Sequence, residues 1–192
     1  GRVYAGSVNW SGGRMVKTGN LYLVDTDGSV RVVDEGIEHS NGIGLSPDNK
    51  TLYFADTVPR RIYAYDVDSA SGALSNKRLF VRVLDDEGIP DGLTVDSEGY
   101  VWSAQWFGAQ VVRYDPDGAV ERRIELPVKQ VSSVLFGGPD LMDLYVTSAA
   151  QFAALECRPT GFDETAPMGG ALYRLRPGVA GKPEFSARMQ WQ

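Results

Sequence analysis

Four short runs recur through this chain in a fixed order, and that recurrence constrains the fold more than any other feature. The first run of each unit opens on a small oxygen-bearing residue ahead of alternating apolar and small ones. It reads Ser40-Asn41-Gly42-Ile43-Gly44-Leu45, then Pro90-Asp91-Gly92-Leu93-Thr94-Val95, then Val131-Ser132-Ser133-Val134-Leu135-Phe136. A second run of β-formers closes on small residues at 3–7, 51–55, 100–104 and 143–147. A third follows at 19–25, 61–66, 110–115 and 170–175. The turns Asp27-Gly28, Ser71-Gly72 and Asp117-Gly118 come next, where glycine supplies the positive φ of a tight hairpin. A more polar fourth run ends the unit at 30–33, 77–82 and 120–124.

Asn41, Asp91 and Ser132 are spaced by 50 and 41 residues. Four antiparallel strands every roughly 40 to 50 residues is the pattern of a β-propeller blade. No helical period of about 3.6 residues competes, and a β-sandwich would not impose the same order on every unit. The expected fold is therefore an all-β propeller of about four blades, a single domain over 1–192 with blades near 1–36, 37–86, 87–128 and 129–192. The chain opens on a second-run pattern, so its first blade lacks an inner strand. A propeller ring closes by pairing its last blade with strands from its start. This predicts that the chain is the C-terminal part of a longer protein.

In a propeller the innermost strand of each blade lines the central channel, and the residue opening it lies at one mouth. Asn41, Asp91 and Ser132 hold that position in three successive blades. Either Asn41 or Asp91 alone, ahead of a glycine, reads as an ordinary turn former; their recurrence at matched positions favours a shared site. An amide carbonyl and a carboxylate are hard oxygen ligands, suited to Ca2+, Mg2+ or Mn2+, with Zn2+ or Fe2+ at a less selective site. Two protein ligands are too few, so a third is expected from blades outside this chain. The loops 7–19, 56–60, 105–109 and 148–169 should emerge at the same face, and long loops in a compact fold are more often functional than idle. They offer Asn9, Trp10, Gln105 and Trp106 as candidate substrate contacts, with Phe107, Gln151, Phe152 and Phe162 nearby.

Other residues carry weaker signals. His39 is the sole histidine; with no Ser-His-Asp order around it, a surface or supporting role fits better than a base. Ser132-Ser133 lacks the Gly-x-Ser-x-Gly elbow and reads as channel-lining hydroxyls. Asp25, Asp66 and Asp115 read as turn formers, and Arg14 and Lys17 as solvated loop charges. A net charge of −6 without a Lys/Arg stripe argues against nucleic acid as a partner. No run of about 18 apolar residues is present to span a membrane as a helix. The single Cys157 excludes an intramolecular disulfide and a cysteine-based zinc site. A small molecule is the expected partner and the cytoplasm the expected compartment, with the residues ahead of Gly1, where a signal peptide would stand, outside the sequence.

The Ser40-Asn41-Gly42-Ile43 and Ile89-Pro90-Asp91-Gly92-Leu93 motifs, with Phe136-Gly137-Gly138 after Ser132-Ser133 and Leu144-Tyr145-Val146-Thr147-Ser148, resemble the gluconolactonase/regucalcin (senescence marker protein) family over nearly the whole chain. That resemblance implies a six-bladed propeller with one divalent metal at the channel mouth and hydrolysis of sugar lactones. It implies that Asn41 and Asp91 are metal ligands, and that a Glu ligand and a substrate-clamping Arg and Asn precede Gly1. Asn9, Trp10 and Ser11 stand where the family often carries an acidic residue, which bears on substrate preference. The implied mechanism has the metal polarise the lactone carbonyl while Asp91, ligand and base at once, takes a proton from the attacking water. Two alternatives stay open: a non-catalytic metal- or ligand-binding propeller, and a lactonase or esterase for less polar substrates, received by Trp10, Trp106 and Phe107.

Overall fold

A computed structural model of the chain describes residues 1–11, 14–151 and 157–187; Phe152 lies outside the described residues. The chain begins with β1 (Val3–Gly6), makes a hairpin of β2 (Asn9–Ser11) and β3 (Arg14–Val16), and returns as β4 (Gly19–Val24) and β5 (Val30–Ile37). Then come β6 (Ser40–Leu45), β7 (Thr51–Asp56), β8 (Arg61–Val67) and β9 (Leu74–Arg82). β10 (Ile89–Val95), β11 (Val101–Trp106), β12 (Gln110–Tyr114) and β13 (Val120–Glu125) repeat that order, and β14 (Val131–Gly137), β15 (Asp143–Ser148) and β16 (Leu172–Leu175) follow. Among the described residues there is no helix.

These strands form four antiparallel meanders, in the orders β1-β4-β5, β6-β7-β8-β9, β10-β11-β12-β13 and β14-β15-β16. They are the blades of a propeller, all-β as the repeated runs require. Each strand's composition follows its radial place. The middle strands are covered on both faces by neighbouring blades, so β11 is buried from Val101 to Gln105 and β12 throughout. The outer strand β13 alternates between exposed and half-buried, and its Glu121, Arg122, Arg123 and Glu125 keep an open edge charged, which discourages edge-to-edge pairing.

The core is a series of layers between blades. Leu21 and Ile37 meet Leu52, Phe54 and Tyr65; Tyr53, Ala55 and Ile62 meet Leu93, Val95 and Val112; Trp102, Ala104 and Val111 meet Val134, Phe136 and Val146. One buried ion pair stiffens the third blade. Arg113 Nη2 lies 2.7 Å from Asp96 Oδ2 and 2.6 Å from Glu98, with the guanidinium 3.8 Å above the Tyr100 ring. Asp96 also accepts from Trp102 Nε1 at 2.8 Å and from the backbone N–H groups of Glu98 and Tyr100, so the buried charge is fully bonded.

All three turn glycines, Gly28, Gly72 and Gly118, take positive φ. Stretch 7–19, read from the sequence as a long loop, instead holds the β2–β3 hairpin, with Trp10 opposite Met15. β2 is exposed throughout, Trp10 to 59%, and three-residue strands are too short for a burial rhythm to mark them in the sequence.

Candidate active site

The three inner strands share one irregularity. In β6 the pairing shifts between Ser40, opposite Asp56, and Ile43, opposite Phe54. In β10 it shifts between Pro90, opposite Gln105, and Leu93, opposite Ser103. In β14 it shifts between Val131 and Ser133. Asn41, Asp91 and Ser132 therefore lie in bulges at matched positions of successive blades. A bulge frees a residue from the ladder and re-aims its side chain, a recurrent device next to functional sites.

Glycine permits the close approach of these bulges. A Cβ on Gly42 would lie 2.4 Å from Leu93 N and 2.6 Å from the Asp91 carbonyl oxygen. One on Gly92 would lie 2.2 Å from Ser133 Oγ. With hydrogens in those places the strands converge, and the side-chain amide of Asn41 lies near enough to the Asp91 carboxylate to favour its charged form. Ser132 is less engaged with the pair; its Oγ is 2.8 Å from Thr147 Oγ1.

Burial pushes the Asp91 carboxyl up to about 7. Hydrogen bonds from Asn41 and from the backbone N–H of Gly92 oppose that rise, and no cationic side chain does so among the described residues. A desolvated carboxylate lacking a countercharge, beside an amide, is a donor set that suits a hard divalent cation. Among the described residues no three His, Cys, Asp or Glu side chains gather as a metal cluster, so the fit is that of a two-oxygen partial set.

The remaining candidates are placed differently from one another. Asn9 spends its amide within its own hairpin, on Thr18 O at 2.8 Å and Thr18 Oγ1 at 3.0 Å. Trp10 projects from the same hairpin. Gln105 is wholly buried; its Nε2 donates to Ser103 Oγ at 3.1 Å and its Oε1 has no partner. Trp106 is half-buried at the end of β11, opposite Ile89, with its indole N–H buried and unpartnered. Phe107 stands edge-on to it at 6.1 Å and meets Phe162 of the 148–169 loop at 4.8 Å. Arg60 fastens that loop further, donating to the carbonyls of Cys157 and Gly88.

His39 is half-buried, its Nδ1 is unpartnered, and burial holds its pKa below the usual value. Asp56 accepts the His39 backbone N–H at 2.8 Å. Thr57, which lies in the 56–60 loop but was not singled out within it, is buried beside the pair: Asn41 Nδ2 donates to its Oγ1 at 3.2 Å, and its Oγ1 donates to Pro90 O at 2.8 Å. Its membership of the 56–60 loop was the one signal that pointed to it.

Comparison with known proteins yields a consistent group. Residues 1–150 match the model of the SMP-30/Gluconolactonase/LRE-like region. A pentonolactonase of Haloferax volcanii is 42% identical over 187 residues, covering 96% of this chain and 62% of the relative. Among solved structures, a luciferin-regenerating enzyme superposes with a TM-score of 0.83 at 31% identity, covering 95% of this chain and 60% of that one. A regucalcin from Agrobacterium tumefaciens, described as a calcium-binding protein, gives 0.75 at 31% identity, covering 92% and 57%. The chain thus spans about three-fifths of the length of these proteins.

Proposed function

The chain belongs to the SMP-30/gluconolactonase/LRE-like family, and from that membership we propose that the whole protein is a metal-dependent hydrolase of sugar lactones centred on Asn41 and Asp91. The observation that carries the proposal is the meeting of these two side chains at matched bulges of neighbouring blades, with the carboxylate desolvated and without a countercharge. The pentonolactonase relative favours a sugar lactone as substrate, and the calcium-binding neighbour favours Ca2+ among the oxygen-seeking ions.

Asn41 and Asp91 are the ligands this chain would supply, a further ligand being a Glu ahead of Gly1 by the family resemblance. A bound divalent cation would polarise the lactone carbonyl and stabilise the oxyanion that develops on it. Asp91 is the base, taking one proton from the attacking water as that water's oxygen adds to the carbonyl carbon; collapse of the tetrahedral adduct breaks the bond to the ring oxygen, and the proton passes from Asp91 to the departing alkoxide. Asn41 orients the carboxylate through its amide. Trp106, half-buried at the end of β11 and edge-on to Phe107, would offer the substrate its exposed ring surface, its indole N–H being buried. Trp10 and Asn9 would reach the substrate from the projecting hairpin, whereas Gln105, wholly buried, has no direct access to it.

Turnover by the whole protein on a panel of aldonolactones and acyl lactones, with and without a chelator, tests the proposal. The expected result is hydrolysis of aldonolactones that chelation abolishes and added Ca2+ or another divalent ion restores. Hydrolysis indifferent to chelation contradicts the metal dependence. Metal binding without turnover supports the non-catalytic reading, and preference for acyl lactones the less polar one.

A further inference from the structure

We infer that Thr57 is a positioning residue that decides which end of the Asn41 amide is turned toward a cation. The inference rests on the metal reading above and deepens it. A threonine hydroxyl has one proton and two lone pairs. In Thr57 the proton goes to Pro90 O, at 2.8 Å, so toward Asn41 the same oxygen can only accept. Asn41 must then present its NH2 group to Thr57, as it does at 3.2 Å. The carbonyl Oδ1, the atom of an amide that binds cations, is left uncommitted.

The hydroxyl also joins the two bulges. Pro90 is the last paired residue before the β10 bulge, and Thr57 supplies a donor to its carbonyl just ahead of Asp91. On the other side, the Thr57 backbone N–H donates to His39 O at 3.0 Å, and Asp56 accepts the His39 N–H, fixing the chain just ahead of Asn41. Thr57 is only 2% exposed, so water cannot readily replace the hydroxyl. One buried side chain thus sets the orientation of the amide and the approach to the carboxylate.

Calorimetric Ca2+ and Mn2+ titrations of the chelator-stripped whole protein test this. Thr57→Val, which keeps the shape and removes the hydroxyl, should bind about 10- to 100-fold more weakly, while Thr57→Ser stays within about threefold of the wild type. Asn41→Asp should also weaken binding despite its added charge, because a carboxylate oxygen facing Thr57 would claim the proton now given to Pro90. Wild-type affinity in Thr57→Val, an equal loss in Thr57→Ser, or tighter binding by Asn41→Asp would each overturn the inference. The serine and aspartate variants decide the matter should the valine variant not fold. A wild type that binds neither ion sinks this inference together with the metal reading. Binding that Asp91→Asn abolishes and Thr57→Val leaves intact overturns the role of Thr57 alone.

Discussion

Replacing Asp91 by Asn should lower lactone hydrolysis by the whole protein about 1,000-fold or more, since proton transfer by a positioned base alone is worth roughly 100- to 10,000-fold and the same change removes a charged metal ligand. Divalent-ion affinity should fall in parallel, as read by titration calorimetry. His39→Gln should change turnover by no more than about twofold, because a role for this imidazole in proton transfer has no partner to support it: its Nδ1 is buried and unbonded. Turnover surviving in Asp91→Asn would remove Asp91 from the mechanism, whatever becomes of the fold.

The same substitution should stabilise the protein once metal is stripped from it. Burial lifts the Asp91 carboxyl from its ordinary value of 3.8 to about 7 in the folded, metal-free chain. Between those values the folded state holds a proton that the unfolded state has released. Stability is therefore highest on this account near and below pH 4 and is lost as pH rises through about 7. The loss attributable to this one group is on the order of 2 to 4 kcal/mol. Asp91→Asn abolishes that contribution, so in chelator the variant should gain on the wild type as pH rises from 5 to 8. Denaturant titrations of both proteins at the two pH values measure the difference, in which other titrating groups, Asp56 among them, largely cancel. An unchanged difference would mean that the carboxylate is better solvated or better partnered than its surroundings indicate. A carboxylate that impairs the empty fold is what a binding site held ready for a cation would display.

The blades were legible in the sequence because radial position dictates composition. Inner strands need small residues to crowd the axis, as Gly42, Gly44 and Gly92 do; middle strands such as Val111-Val112 are covered on both faces; outer strands such as Glu121-Arg122-Arg123 are charged. The tight-turn glycines were legible for a local reason, their positive φ. That Asn41 and Asp91 should lie at one mouth of the channel was expected from their matched repeat positions. What carries that approach was hidden. A bulge is an extra residue counted against a partner strand, so Asn41-Gly42 opposite Ala55 cannot be seen until the register is known. Thr57 was hidden likewise, since its hydroxyl acts on Pro90, 33 residues away. Gln105 reads as a polar loop residue, yet it belongs to a strand with a blade on either side and is buried for that reason. The β2–β3 hairpin escaped because strands of three residues are too short to show a periodicity.

Crystals of the whole protein grown with Mn2+ and measured for anomalous scattering test the central claim most directly. The account predicts one strong peak within about 2.5 Å of both Asn41 Oδ1 and an Asp91 carboxylate oxygen, with Asn41 Nδ2 still on Thr57. A peak bound elsewhere, or one that only one of the two side chains reaches, would contradict it.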